Sequence, residues 1–145
     1  MNSINENAPV KIRQIIQVKA TPEKVWSVLT NIDGWPDWNP DIINAKLNGQ
    51  LTPGTTFDWK SGGTKIHSTL HTVQPFEKFG WSGKAMGSLA IHNWTLTKNG
   101  NETEVLVEES MEGFLVKLLR GMMQKTLDKS SASWLQHLKT ECEKQ

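Results

Sequence analysis

Between residues 42 and 111 the chain alternates short segments rich in β-branched and aromatic residues with turn residues. Asn48-Gly49, Gly62-Gly63 and Asn99-Gly100 separate several of these segments, and an Asn-Gly pair between two such segments is a strong hairpin signal. The pattern predicts antiparallel strands at residues 42–47, 55–60, 65–73, 78–84, 88–98 and 102–111. Because a sheet this long must curl or be covered, the rest of the chain has to supply a cover.

Residues 114–144 are the predicted cover. This segment contains no proline, and Gly121 is its only glycine. Its apolar residues recur mostly at i, i+3 and i+4, which predicts one long amphipathic helix of about 30 residues and roughly 45 Å. The apolar positions are Leu115, Leu118, Leu119, Met122, Met123, Leu127, Trp134, Leu135, Leu138 and Cys142.

The segment before these strands mixes a strand with helix signals. Residues 10–20 alternate β-branched and polar side chains, which predicts a first strand. Thr21 then precedes Pro22, as an N-cap residue precedes a proline at the first helical position. Residues 35–40 carry two tryptophans among prolines and predict a second short helix or a tight loop. A strand, short helices, about six strands and a long helix together predict an α+β fold.

Length and charge limit the class of protein. The 145 residues correspond to one domain, and we expect a flexible tail at residues 1–9 followed by a single domain at residues 10–145. The net charge is only +1, whereas a domain that binds nucleic acid is expected to be strongly basic, so we expect no nucleic-acid partner. No run of apolar residues approaches the roughly 18 that a spanning helix needs, so we expect no stable membrane insertion.

Cysteine and histidine usage predicts a cytoplasmic protein without a metal site. Residues 1–9 are polar and lack the apolar core of a signal peptide, and Cys142 is the only cysteine, so no internal disulfide can form. His67 and His71 have the i, i+4 spacing that suits a metal on a helix. In a strand these residues lie roughly 13 Å apart, so we expect neither a metal nor another cofactor.

The turns also predict which strand residues share a face. The expected pairs are Trp59 with Ile66, Phe57 with Ser68, Ser68 with Gly83, Trp81 with His92, and His92 with Val107. One face then collects Phe57, Trp59, Ile66, Ser68, Leu70, Phe79, Trp81, Gly83, Ala90, His92, Trp94, Leu96, Val105, Val107, Glu109 and Met111. The opposite face is much more polar. A one-residue slip would exchange the two faces, so the assignment depends on parity more than on the individual pairs.

Three polar residues, Ser68, His92 and Glu109, lie on this otherwise apolar face. A buried carboxylate and imidazole are costly unless they are paired or hydrated. An apolar concavity with a few convergent polar groups is typical of a small-molecule site. His92 and Glu109 could form a structural hydrogen bond, orient a ligand carbonyl or hydroxyl, or act as a general acid/base pair. The sequence leaves these alternatives open.

Several segments occur in an order and spacing that are typical of one superfamily. They are Ala-Thr-Pro-Glu-Lys-Val-Trp-Ser-Val-Leu at 20–29, Trp-Pro-Asp-Trp-Asn-Pro at 35–40, Pro-Gly-Thr-Thr-Phe-Asp-Trp at 53–59, Trp-Ser-Gly at 81–83, His-Asn-Trp-Thr-Leu at 92–96 and Thr-Glu-Val-Leu-Val-Glu-Glu-Ser at 103–110. Residues 10–142 resemble the START-like (SRPBCC) superfamily of polyketide cyclases/dehydratases and lipid-transfer proteins. The resemblance implies a helix-grip fold: a curved seven-stranded antiparallel sheet around a long C-terminal helix, with two short helices after the first strand.

The resemblance also implies a cavity between the sheet and the long helix. We expect it to bind a small hydrophobic or amphipathic ligand, such as a lipid, a sterol or a polyketide-like aromatic. The expected ligand-binding residues are Trp35, Trp38, Phe57, Trp59, Ser68, Trp81, His92, Trp94, Glu109, Met111, Leu119, Met122 and Met123. The tryptophans and methionines among them could instead be ordinary core, and Trp35 and Trp38 either an entrance lid or an anchor for their loop.

Two further functions remain open. A cyclase/dehydratase-type enzyme would use His92 and Glu109 to move protons, although the superfamily has no shared catalytic motif to transfer. A chaperone- or stress-related interaction module would require an exposed apolar patch on the outer face of the sheet, and the face assignments contain none. The ligand's identity and the oligomeric state are not predicted.

Overall fold

The computed structural model describes residues 2–145, and Met1 lies outside the described residues. The elements in chain order are β1 (Val10–Val18), α1 (Pro22–Thr30), a 3-10 turn (Ile32–Gly34), α2 (Trp35–Trp38), β2 (Ile42–Leu47), β3 (Thr56–Ser61), β4 (Thr64–Gln74), β5 (Lys78–Ala85), β6 (Ser88–Asn99), β7 (Glu102–Glu112), α3 (Phe114–Leu118) and α4 (Arg120–Cys142). At the start of α1, the Thr21 hydroxyl accepts a hydrogen bond from the Lys24 amide, as the sequence predicts.

The strands form one antiparallel sheet in the order β1-β7-β6-β5-β4-β3-β2. Among the strands of residues 2–145, only β1 and β7 are paired without being consecutive in the chain. α4 packs against the sheet and is tied to β1 by hydrogen bonds from Gln124 Nε2 to the Lys11 carbonyl (2.9 Å) and from Lys139 Nζ to the Gln17 carbonyl (2.8 Å). The predicted α+β helix-grip architecture is therefore confirmed.

The predicted strand registers are correct except for the last. Trp59 pairs with Ile66, Ser68 with Gly83, and Trp81 with His92. His92 pairs with Glu109, however, and the expected pairing with Val107 is wrong. The reason is that Asn99 pairs with Glu102, so the two-residue turn is Gly100-Asn101 rather than Asn99-Gly100. The shift is two residues, so it preserves the predicted face and brings His92 opposite Glu109.

The sequence predicts one continuous helix over residues 114–144, but the structure divides this segment into two helices. Leu119 leaves the helical conformation (φ −108°, ψ 26°) and separates α3 from α4. No side chain caps either helix at this point, and Gly121 weakens the first turn of α4 because glycine is a poor helix former. α3 buries Val116 completely, while α4 buries Leu127, Leu135 and Leu138.

The N-terminal segment, expected as a loose tail at residues 1–9, makes specific contacts over its described part. Ile4 is buried. The Asn5 amide donates to the Ser110 hydroxyl (3.0 Å), and Asn93 Nδ2 donates to the Asn2 carbonyl (2.7 Å). Asn93 and Ser110 neighbour His92 and Glu109 along their strands and therefore lie on the opposite face of the sheet. The segment thus lies against the outer face of β6 and β7.

An aromatic cluster forms the centre of the core. Trp35 in α2 is fully buried, and its ring centre lies 5.6 Å from Phe57, 5.6 Å from Trp59 and 5.3 Å from Trp134. Its Nε1 donates to the Leu29 carbonyl at 2.8 Å, which joins α2 to the end of α1. The short helices are therefore anchored to the sheet and to α4 by one side chain.

Replacing Gly113 with alanine is expected to lower the free energy of unfolding by about 2 kcal/mol. Gly113 has φ of +136°, and a Cβ there would lie 2.9 Å from the Gly87 carbonyl oxygen, a backbone atom. Gly121→Ala is the matched control, because its Cβ would meet no atom within 4 Å and alanine should stabilise the helix by up to about 1 kcal/mol. Urea unfolding followed by circular dichroism measures both variants, and equal effects would contradict this account.

Candidate functional site

A cavity of about 440 Å³ lies between the inner face of the sheet and the helices α3 and α4. Strands β2 to β7 supply its floor, and the helices supply its roof. Its lining comprises Asn39, Asp41, Ile42, Trp59, Ser61, Thr64, Ile66, Ala85, Met86, Ser88, His92, Glu109, Met111, Leu115, Val116, Leu119, Met122, Met123, Thr126, Leu127, Ser130, Ser131 and Trp134. The aromatic cluster adjoins this cavity, since Trp59 and Trp134 belong to both.

His92 and Glu109 form the polar centre of the cavity. His92 Nδ1 is hydrogen-bonded to Glu109 Oε1, and the two side chains are only 6% and 13% exposed. The imidazole stacks on the Trp81 ring, with ring centres 4.4 Å apart and planes 12° apart. Cross-strand pairing and stacking therefore hold the imidazole in one orientation.

This orientation determines what His92 presents to the cavity. With Glu109 ionised, its carboxylate only accepts hydrogen bonds, and Nδ1 then carries the proton that it accepts. Nε2 is then free to accept a hydrogen bond when the ring is neutral and to donate one when the ring is protonated. This nitrogen is buried and has no hydrogen-bond partner within the described chain.

Trp134 supplies a second unpaired polar group beside His92. Its indole Nε1 is buried and also has no partner among residues 2–145. The Trp134 ring centre lies 5.3 Å from that of His92, and both residues line the cavity. Trp94 Nε1, in the same group of rings, is a third such atom, but Trp94 lines neither the cavity nor a smaller pocket. Because buried polar groups are nearly always hydrogen-bonded, the unpaired atoms of the two cavity-lining residues make His92 and Trp134 the candidate contacts for a ligand's polar atoms.

A smaller pocket of about 80 Å³ adjoins the cavity and shares His92 and Glu109 with it. Ser68 and Trp81 line this pocket. The Ser68 hydroxyl already accepts a hydrogen bond from Trp59 Nε1 at 3.0 Å. Ser68 is therefore engaged in orienting Trp59.

The predicted ligand-binding residues divide into three groups. The residues that line the cavity are Trp59, His92, Glu109, Met111, Leu119, Met122 and Met123. Ser68 and Trp81 line the adjoining small pocket, and Trp35, Trp38, Phe57 and Trp94 line neither volume. Phe57, Trp35 and Trp94 are fully buried, and Trp38 is partly buried against the same core. The parity of a strand predicts the face of a residue, but not whether that part of the face lies under the cavity or under the aromatic cluster.

Sequence reasoning missed the contribution of Trp134 and of the helix segment around it. The apolar spacing predicts Trp134 on the buried face of the helix and gives it no role in the site. The buried stripe Leu127, Ser131, Trp134 and Leu138 contains a small polar residue where apolar ones are expected. A serine on a buried stripe leaves space next to its neighbours, and that was the available signal.

Other reactive groups lie outside the cavity. His67 Nδ1 and Asp58 Oδ1 are 2.6 Å apart on exposed side chains, and this hydrogen bond lowers the pKa of Asp58. Burial raises the pKa of the Cys142 thiol to about 12. Among residues 2–145, no three His, Cys, Asp or Glu side chains are placed to hold a metal ion. No helix in that range is long and apolar enough to cross a membrane.

The sequence profile of the family described as polyketide cyclase / dehydrase and lipid transport matches residues 9–143. The chain belongs to this family. No curated protein matches the sequence. The matched residues span the whole sheet, the short helices and α4, and so include every element that lines the cavity.

Solved structures share the fold over almost the full chain. A hypothetical protein from Helicobacter pylori superposes with a TM-score of 0.86 at 18% identity, covering 99% of this chain and 98% of that one. An aromatase/cyclase from a Streptomyces species gives a TM-score of 0.81 at 14% identity, covering 92% and 93%. A START superfamily protein from Mycobacterium smegmatis gives 0.76 at 16% identity, covering 92% and 97%. At these identities the likeness establishes the START-like fold of this family member, and no more.

Proposed function

We propose that the protein binds a small amphipathic molecule in the 440 Å³ cavity, with the polar end of the molecule at His92 Nε2 and Trp134 Nε1. The observation that carries the proposal is the pair of unpaired, buried polar groups on an otherwise largely apolar lining. Family membership supports it, since the family description includes lipid transport. We further propose that the protein acts in the cytoplasm, as its single cysteine suggests.

The hydrogen-bonding properties of His92 Nε2 and Trp134 Nε1 limit which functional groups the ligand can carry. The Trp134 indole N–H only donates, so it needs an acceptor. Neutral His92 Nε2 needs a donor, and a ligand hydroxyl can donate to His92 while accepting from Trp134. A carbonyl oxygen satisfies Trp134 and, when the imidazole is protonated, His92 as well. An unpaired buried group costs about 1–3 kcal/mol, so a hydroxyl or carbonyl ligand should bind better than a pure hydrocarbon.

The apolar part of the ligand would lie along Met111, Leu119 and Met123. The two methionines are flexible and polarisable, so they can adapt to rings or chains of different shape. A volume of about 440 Å³ is near the lower end of typical ligand sites and suits a small ring system or a medium-length acyl chain. Lipids, sterols and polyketide-like aromatics with a hydroxyl or carbonyl group are therefore the classes to test.

The second candidate function is catalysis of a dehydration or cyclisation. The free Nε2 of a carboxylate-held imidazole is the arrangement of a general base. In a dehydration, Nε2 would remove a proton from the carbon next to a carbonyl. The electron pair would form the carbon–carbon double bond, and the hydroxyl would leave as water with the proton from the imidazolium. Turnover that is abolished in His92→Gln while binding persists would favour this function over binding alone.

Titration of intrinsic tryptophan fluorescence with fatty acids, sterols, flavonoids and polyketide-like aromatics tests the binding proposal. We expect a saturable change with one class, because Trp59 and Trp134 line the cavity. Calorimetric titration should then show about fivefold weaker binding of that class to Trp134→Phe, which keeps an aromatic ring but removes the donor. Trp38→Phe is the matched control, since Trp38 lies outside the cavity lining.

Two outcomes would contradict the proposal. One is the absence of any saturable response across the panel in a protein that is demonstrably folded. The other is an affinity for Trp134→Phe equal to that of the Trp38→Phe control, which would mean that the indole N–H does not contact the ligand.

A further inference from the structure

Large apolar side chains are exposed around the mouth of the cavity. Phe114 at the start of α3 is 78% exposed, and Met86 in the β5–β6 turn is 76% exposed. We define the apolar rim as Met86, Phe114, Leu115, Leu118, Leu119 and Met122, all of which are exposed. Four of its members, Met86, Leu115, Leu119 and Met122, also line the cavity. The apolar rim is therefore continuous with the cavity interior.

The turn and the helix that carry the apolar rim touch each other. A Cβ on Gly113 would lie 2.9 Å from the Gly87 carbonyl oxygen and 3.2 Å from Ser88 Cα. The backbone just before Phe114 is thus packed against the backbone just after Met86. The exposed side chains form one surface rather than separate apolar spots, and surfaces of this kind usually mark an interaction site.

The conformation of Met86 is a second, independent observation. It has φ of +49°, in the left-handed region that favours Gly, Asn or Asp, and it is followed by Gly87 with φ of +77°. Such a turn accepts Asn-Gly without strain, so a methionine here is disfavoured. A long apolar side chain is nonetheless held at the tip of the turn and projects into solvent. Unfavourable local conformations of this kind concentrate at functional sites.

The charged residues inside the helical segment that carries most of the apolar rim are all positive. Between Glu112 and Asp128 the only charged residues are Lys117, Arg120 and Lys125. These three and Lys84 in β5 are exposed, and within the described chain none of the four forms an ion pair. The whole protein has a net charge of only +1, so this cluster is a local feature.

We propose that the apolar rim docks on the surface of a membrane that contains anionic phospholipids. Apolar side chains next to lysine and arginine are typical of segments that lie in the headgroup region, with the cations near lipid phosphates. A second copy of this chain fits less well, because two such surfaces would bring cations together. Docking would open the cavity mouth directly onto the acyl chains. The inference goes beyond the proposed function, since vesicle binding does not require an occupied cavity.

Co-sedimentation of the full chain with vesicles tests the docking. We expect binding to vesicles of phosphatidylcholine mixed with phosphatidylserine, weaker binding to phosphatidylcholine alone, and loss of the difference at high salt. Phe114→Ser/Leu118→Ser and Lys117→Glu/Arg120→Glu should each lower the partition coefficient at least about tenfold. All four side chains are exposed, so the variants are expected to fold.

Matched controls change similar residues elsewhere on the surface. Ile15→Ser replaces an exposed isoleucine in the middle of β1, and Lys98→Glu reverses an exposed lysine at the other end of β6 from the apolar rim. Both should bind vesicles like the unmodified protein. Rim variants that bind like the controls, or an unmodified protein that does not bind the phosphatidylserine vesicles at low salt, would overturn the proposal.

Sedimentation velocity tests the competing possibility that a second copy of the chain binds the apolar rim. A dimer that dissociates in Phe114→Ser/Leu118→Ser, with no vesicle binding, would assign the apolar rim to a second copy and refute membrane docking. Ligand titration of the rim variants in vesicle-free buffer reports on the cavity alone. A failure of docking is thereby distinguishable from a failure of the proposed ligand binding.

Discussion

Replacing Trp35 with alanine is expected to lower the free energy of unfolding by about 4 kcal/mol. Trp35 is fully buried and lies within 5.6 Å, ring centre to ring centre, of Phe57, Trp59, Trp81 and Trp134. Removing the indole would leave a large cavity at the centre of these rings. It would also remove the donor to the Leu29 carbonyl, which is buried with α1.

Urea unfolding followed by circular dichroism measures this loss, and Trp38→Ala is the control. Trp38 belongs to the same short helix but is only partly buried, so we expect it to lose less than about 2 kcal/mol. The comparison decides between two interpretations of the Trp35–Trp38 helix. If Trp35→Ala kept normal stability but changed the rate of ligand entry, Trp35 would be a lid and not a core anchor.

The second large effect concerns the interaction between His92 and Glu109, whose energy a double-mutant cycle measures. His92→Phe is expected to cost about 3 kcal/mol, because it leaves the Glu109 carboxylate, which is 13% exposed, without its partner. Glu109→Leu leaves the Nδ1 proton of His92 unpaired and should cost about 2 kcal/mol. The double variant should lose at least about 2 kcal/mol less than the sum of these losses, since it leaves no buried charge.

The double variant His92→Phe/Glu109→Leu also tests whether this pair contributes to ligand binding. Phenylalanine keeps the stacking on Trp81 but lacks Nε2, so the proposed ligand should bind at least about fivefold more weakly to a protein that remains folded. If the energetic coupling is present but ligand affinity is unchanged, the pair is a structural hydrogen bond only. Additive losses would mean instead that the two side chains do not interact in solution.

Local patterns in the sequence are sufficient to place a strand residue on one face of the sheet. The placement of His92 and Glu109 on one inner face was predicted from strand parity, and it survived an error of two residues in the register. It survived because an even shift keeps every side chain on its own face. The turn itself was misplaced, because both Asn99-Gly100 and Gly100-Asn101 are acceptable two-residue turns and only the pairing of Asn99 with Glu102 decides between them.

The candidate site was less predictable than the fold. Phe57 and Trp94 share the inner face with His92 but lie under the aromatic cluster, whereas Trp134, which was not predicted as a site residue, faces the cavity. The interruption at Leu119 was likewise unexpected, since the apolar spacing continues through it. Each of these facts depends on how the helices pack over the sheet.

The sequence alone determined the α+β class, the strands and the face of each strand residue, because turn chemistry and a two-residue period are local properties of the chain. The family followed from the order and spacing of short segments. Only the tertiary structure decided where the interior is filled and where it is open. That outcome depends on distances between α3, α4 and the sheet, which are set by the packing of Trp35, Trp134 and their neighbours from distant parts of the chain.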